Sequence, residues 1–209
     1  MCEHECSCWC EDYVTSVSID KEAPRFILPA YDPIKDVEVD VELEAFRWKW
    51  TVLFYYPADF TFVCPTELKD MADAKGEFDS LGVTVLAAST DTQFSHRAWV
   101  KHEKLMEGFP YLMVADHSLE VADAYWVLDS ETWIAARGTF IIDPDGMCRW
   151  IEITSGPLWR NSAELIRKIR ALQFMRENPG TACPAKWVLW AKTLTPNIKI
   201  AWEVADALK

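Results

Sequence analysis

Apolar, β-prone runs alternate with segments of helical period along most of this 209-residue chain, and that alternation restricts the fold more than any other feature. Residues 51–56 (TVLFYY) form a continuous apolar run, as expected for a strand buried on both faces. A helix is predicted from about Pro65. Leu68, Met71, Ala72, Phe78 and Leu81 recur there at helical spacing, and only Lys75 interrupts the stripe. Gly82 ends that helix before a second buried strand at 83–90. The pattern then repeats, with a helix around 94–106 before a strand at 111–114, and a shorter helix near 119–126 before a strand at 139–142. The turn sequence Asp143-Pro144-Asp145-Gly146 predicts that 139–142 and 148–154 form a hairpin. Residues 37–43 alternate apolar and acidic side chains, as in a half-exposed strand. Asn161 is placed to cap a last amphipathic helix whose buried side is marked by Leu165, Ile166, Ile169, Leu172 and Phe174. The expected fold class is α/β, a mixed central β-sheet flanked by helices. Three segments are expected: a Cys-rich polar tail at 1–16, the α/β domain at 17–176, and an extension rich in Pro and Trp at 177–209.

Charge and composition remove several classes of function. Lys and Arg number 21 against 33 Asp and Glu, a net charge of −12, whereas a nucleic-acid partner requires a basic face. No run of about 18 apolar residues is present, so no membrane span is expected. The N-terminal MCEHECSCWCED lacks the basic-then-apolar order of a secretion signal, which points to the cytoplasm. Glycine is scarce, at seven residues, while tryptophan is abundant, at eleven. Several turns are therefore expected to lack the residue that adopts positive φ most readily.

The seven cysteines are Cys2, Cys6, Cys8, Cys10, Cys64, Cys148 and Cys183. Their odd number leaves at least one unpaired, and no C-x-x-C pair is present to act as a dithiol reductase motif. Cys2, His4, Cys6, Cys8 and Cys10 supply enough soft ligands for zinc, but their spacing fits no familiar finger and no metal is expected. Cys148 falls in a strand and reads as a core thiol. Cys64 is different. It lies in Pro57-Ala58-Asp59-Phe60-Thr61-Phe62-Val63-Cys64-Pro65, where a buried strand ends and a helix begins, and where reactive groups gather in α/β sheets. Pro65 suits a first helical turn, which sets Cys64 at the helix N-terminus among unpaired N–H groups that favour an anion. A thiolate there is a nucleophile; a buried inert thiol fits the same position equally well. A Cys–His hydrolase using His96, His102 or His117 has no accompanying oxyanion-hole or triad pattern.

The Cys64 block resembles the active-site loop of the peroxiredoxins, Pro-x-x-x-Thr-x-x-Cys, through Pro57, Thr61 and Cys64. The strings FTFVCPTEL, AASTDTQFSHRAW, RGTFIIDPDG and CPAKW are similar to the typical two-cysteine, alkyl-hydroperoxide-reductase branch, over roughly residues 17–196. The resemblance implies a thioredoxin-like fold and a peroxidase that needs no cofactor. It makes Cys64 the peroxidatic thiolate, Arg137 the residue that favours the thiolate and orients the peroxide, Thr61 a hydroxyl partner, and Pro57 a shield against water. Glu67 would orient the arginine. Cys183 would be the resolving thiol, supplied from a partner subunit in an antiparallel homodimer, which can assemble into a ring of dimers. The implied partners are a hydroperoxide and either thioredoxin or a dedicated flavoprotein reductase. A one-cysteine peroxiredoxin is the nearest competitor, and Cys183 argues against it. A holdase or signalling scaffold with the same fold is the alternative from another class. Trp48, Trp159 and Trp190 depart from the resemblance, standing where glycine is usual. The Gly-Gly-Leu-Gly and terminal Tyr-Phe elements of easily overoxidised members are absent, which implies resistance to inactivation.

Overall fold

The computed structural model describes residues 16–208; the Cys2–Cys10 cluster and nearly all of the expected tail lie outside them. Two strands open the fold, β1 (Ile27–Asp32) and β2 (Val37–Glu42), followed by β3 (Trp50–Tyr55), α1 (Cys64–Asp73), α2 (Lys75–Ser80), β4 (Val83–Ser89) and α3 (Gln93–His102). Then come β5 (Leu112–Ala115), α4 (Glu120–Ala124), β6 (Arg137–Ile142), β7 (Cys148–Thr154) and α5 (Ser162–Glu177). The seven strands make one sheet in the order β2-β1-β5-β4-β3-β6-β7. Its centre, β5-β4-β3, is parallel, and both flanks are antiparallel. This is the mixed sheet with flanking helices that the alternation requires.

Strand β3 carries the design. All six of its residues are buried, and its period of two divides them between two cores. Val52, Phe54 and, just beyond the strand, Tyr56 pack with Leu68, Met71, Phe78, Leu165 and Ile169, under α1, α2 and α5. Leu53 and Tyr55 point the other way, with Tyr125, Val114 and Phe140. Burying each large apolar side chain contributes roughly 1.5–3 kcal/mol. Gly138 lets β6 lie close to Val127 in the segment after α4, because a Cβ there would sit 2.5 Å from Val127 Cγ1 and 2.9 Å from the Phe140 ring.

Two details differ from the sequence reading. The single helix expected across 65–81 is two, broken at Ala74 (φ −82°, ψ 4°) just ahead of Gly76, a poor helix former. The apolar stripe survives the break, since Leu68, Met71 and Phe78 are all buried. Strand β1 was not anticipated because Pro29 interrupts its sequence. The sheet tolerates it because β5 pairs only with Ala30 and Tyr31, beyond the proline. The scarcity of glycine also shows in the backbone. Trp48 and Trp190 have positive φ, 72° and 73°, and so do two unanticipated residues, Trp126 (58°) and Trp133 (59°). Trp159 is not among the positive-φ residues.

Candidate active site

The chain leaves β3 through Pro57 and enters α1 at Cys64, so the intervening loop lies at the carboxyl edge of the sheet. A buried network holds it there. Tyr56 donates its hydroxyl to Asp59 Oδ1 at 2.7 Å, and His96 Nδ1 lies 2.9 Å from Asp59 Oδ2. His96 Nε2 faces the Val114 carbonyl at 3.2 Å, and the Asp59 N–H donates to Asp91 at 2.7 Å. His96 is fully buried on α3 and braces this loop to β5. Aromatic contacts reinforce it, with the Trp99 ring 5.7 Å from Tyr56 and 6.4 Å from Phe60.

Cys64 is the first residue of α1, fully buried, with Pro65 in the first turn. Its sulfur therefore sits at the positive end of the helix dipole, while the Thr66 and Glu67 N–H groups donate to the Val63 carbonyl. Arg137 reaches it from β6. The antiparallel register sets Gly138 opposite Tyr55, so Arg137 lies where β3 releases the chain toward Cys64. Arg137 Nη1 donates to Cys64 Sγ at 3.5 Å and to Glu67 Oε2 at 2.6 Å. Glu67, one turn into α1, is held from its other side by Arg160, which precedes α5. Arg160 donates to Glu67 through its backbone N–H and Nε, both at 2.9 Å, and through Nη2 at 3.2 Å. Its guanidinium also lies 3.5 Å over the Phe54 ring and donates to the Gly138 carbonyl at 2.8 Å.

Burial alone would raise the Glu67 carboxyl, but the Arg160 hydrogen bonds and charge, with Arg137 behind them, hold it below its ordinary range. Arg160 is pushed down by burial, and Glu67 opposes that. Two buried guanidiniums thus face one carboxylate and one sulfur. The arrangement stabilises negative charge on Cys64 and on any oxygen brought against it.

The other predicted residues fall as follows. Thr61 is in the same loop, and its hydroxyl donates to the Ala58 carbonyl at 3.0 Å, not to the sulfur. Pro57 is half-buried at the end of β3. Cys183 is partly buried in the C-terminal extension and unpaired, as are Cys64 and Cys148. The extension folds back on α5 through Trp187, whose ring lies 5.0 Å from Phe174, and an isolated pairing of Ala182 with Leu194 holds the segment beside Cys183. Burial raises the Cys183 thiol, with Arg167 opposing, and burial pushes Cys148 up to about 12. Arg160 was not singled out from sequence as a site residue. A second arginine shortly before a capped helix was its only local signal.

Residues 19–151 match the AhpC/TSA family. The chain is 42% identical to alkyl hydroperoxide reductase C of Staphylococcus epidermidis over 89% of its own length and 98% of that protein's. It is 44% identical to the Staphylococcus aureus protein of the same name, over the same shares. Among solved structures, the reduced 2-Cys peroxiredoxin of Plasmodium vivax superposes with a TM-score of 0.83 at 27% identity, covering 90% of this chain and 98% of that one. Enterococcus faecalis AhpC gives 0.76 at 34% identity, covering 80% and 99%. With a buried cysteine at a strand–helix junction and an arginine donating to its sulfur, the chain belongs to the AhpC/TSA family and is a peroxiredoxin of the alkyl hydroperoxide reductase C branch.

Proposed function

We propose that this chain reduces hydrogen peroxide and alkyl hydroperoxides at Cys64 and is reset through Cys183. The thiolate attacks the terminal peroxide oxygen. An S–O bond forms, the O–O bond breaks, and the leaving alkoxide or hydroxide takes a proton to become an alcohol or water. Cys64 is left as a sulfenic acid. The observation that carries this reading is Arg137 Nη1, held 2.6 Å from Glu67 and 3.5 Å from the Cys64 sulfur. From there it can follow the negative charge from sulfur to the departing oxygen. The cluster of Arg137, Arg160 and Glu67 holds one positive charge in excess, which favours an anion brought against it. Thr61 spends its own hydrogen on Ala58, which leaves its oxygen lone pairs for the hydroperoxide O–H. Pro57 keeps bulk water from the loop.

In the second step a Cys183 thiolate attacks the sulfenic sulfur, an S–S bond forms, and hydroxide leaves as water. A dithiol reductase, thioredoxin or a dedicated flavoprotein, then returns both cysteines to thiols and is itself oxidised. Cys183 comes from a second subunit of a homodimer, several of which close into a ring, and the protein works in the reducing cytoplasm. The functional units are the 17–176 domain and the 177–209 extension.

Non-reducing electrophoresis after one equivalent of peroxide tests both steps. The parent should shift from monomer to a disulfide-linked dimer, and Cys64→Ser and Cys183→Ser should each abolish the shift. Cys183→Ser should still consume one equivalent of peroxide per chain. Undiminished dimer formation in either variant would refute the assignment.

A further inference from the structure

Of the nine non-glycine residues at positive φ among the described residues, four are tryptophans: Trp48, Trp126, Trp133 and Trp190. Left-handed backbone is a few per cent occurrence for non-glycine residues and is met mainly by Asn, Asp and His. The four belong to turns whose geometry asks for glycine. Trp48 is the third residue of a turn closed by the Lys49 N–H donating to the Phe46 carbonyl at 3.1 Å; Arg47 before it has φ −49° and ψ 145°. That is a type II turn, which needs positive φ at its third residue. Trp190 has the same place in the turn from Val188 to Ala191, closed at 2.9 Å. Trp126 follows α4, with its N–H donating to the Asp123 carbonyl and the Val127 N–H to the Ala122 carbonyl, both at 2.9 Å. That pair of bonds is the Schellman helix ending, whose left-handed residue is usually glycine. Trp133 ends the loop between the bridged residues Leu128 and Ala135.

The indoles are largely exposed and bury little surface to offset this strain. Their exposures are 83, 61, 61 and 92% for Trp48, Trp126, Trp133 and Trp190. By contrast Trp50, Trp99 and Trp187 are 9, 2 and 2% exposed, and neither they nor the partly buried Trp150 has positive φ. Three of the exposed indoles flank opposite ends of β3. Trp48 lies just before the first residue of β3, whereas Trp126 and Trp133 precede Arg137, beside the last. That separation is about 16 Å along the strand at ~3.3 Å per residue.

We propose that positions 48, 126, 133 and 190 carry glycine in the cell that makes this protein, each encoded by a UGA codon that its tRNA reads as glycine. UGA differs by one base from the tryptophan codon UGG and by one base from the glycine codon GGA. It is also a codon whose meaning differs between genetic codes, so a tryptophan reading of UGA yields this chain. The reassignment concentrates tryptophan in glycine turns and leaves the core tryptophans, encoded by UGG, untouched. It also accounts for the shortage of glycine.

The test is tandem mass spectrometry of peptides from the protein purified from its own cells, alongside sequencing of its gene. The expected result is UGA at these four codons, UGG at Trp50, Trp99, Trp150 and Trp187, and native peptides lighter at each of the four positions by an indolylmethyl group exchanged for hydrogen. UGG at the four codons, or native peptides that contain tryptophan there, would overturn the proposal.

Discussion

Replacing Glu67 with glutamine removes one charge and almost no volume from the centre of the site. The side chain is 1% exposed, and the two arginines it bridges are 8% and 6% exposed, so water cannot take over its role. Glutamine keeps one carbonyl acceptor but turns an amide donor toward guanidinium donors, and it leaves two buried cations with no carboxylate between them. Breaking a buried pair in this way costs roughly 3–5 kcal/mol. For a chain of this length, about 2–4 °C per kcal/mol converts that to a fall in Tm of about 6–20 °C. Calorimetry of the reduced protein reads the shift directly. Acid titration adds a second readout. Because the folded Glu67 carboxyl lies below its ordinary value, its contribution is complete above the normal carboxylate range and is lost as pH falls through the folded value. The parent should therefore lose more stability than Glu67→Gln as pH falls from neutral through and below the ordinary carboxylate range. A variant that melts within 2 °C of the parent, or one with an equally steep acid limb, would show that the bridged arginines do not depend on this carboxylate.

Arg137→Lys should slow the first oxidation of Cys64 by roughly a hundredfold, since one ammonium cannot span Glu67 and the sulfur in the manner of a guanidinium. Stopped-flow fluorescence with one equivalent of peroxide measures it, and a rate within threefold of the parent's would count against the Arg137 geometry. Gly138→Ala should destabilise by about 1–3 kcal/mol, because the new methyl meets Val127 Cγ1 at 2.5 Å; an unchanged urea midpoint would contradict the close packing of β6. Iodoacetamide at pH 8 should label Cys183 in the native reduced protein and spare Cys148, which is fully buried with its thiol pushed up to about 12. Equal labelling of the two, read by peptide mass, would place Cys148 at the surface.

Local sequence carried the parts of the fold that depend on local chemistry. The apolar run of β3 followed by the proline of α1 placed Cys64 at a strand–helix junction, and the Asp143–Gly146 turn placed β6 against β7. The helix break at Ala74 escaped because the stripe from Leu68 to Phe78 stays in phase across it. Strand β1 escaped because a proline in a strand reads as a breaker until its pairing partners are known. Neither miss affects the position of the reactive thiol.

The electrostatics of the site are another matter, because they arise from residues far apart in sequence. Glu67 meets Arg137 across 70 positions and Arg160 across 93, and no periodicity brings those three side chains together. Only the resemblance pointed to Arg137 from sequence, and it gave no role to Arg160, whose neighbour Trp159 drew attention as a departure. What fixes both arginines is sheet register. With Gly138 opposite Tyr55, Arg137 must fall beside the residue at which β3 ends, and a slip of one residue would turn its side chain to the other face of the sheet. Gly138, the neighbour of Arg137, packs β6 on the segment after α4, where a Cβ would meet Val127 Cγ1 and the Phe140 ring. The seat of Arg137 thus adjoins a residue that carries no functional group and keeps β6 against Val127 only by having no Cβ.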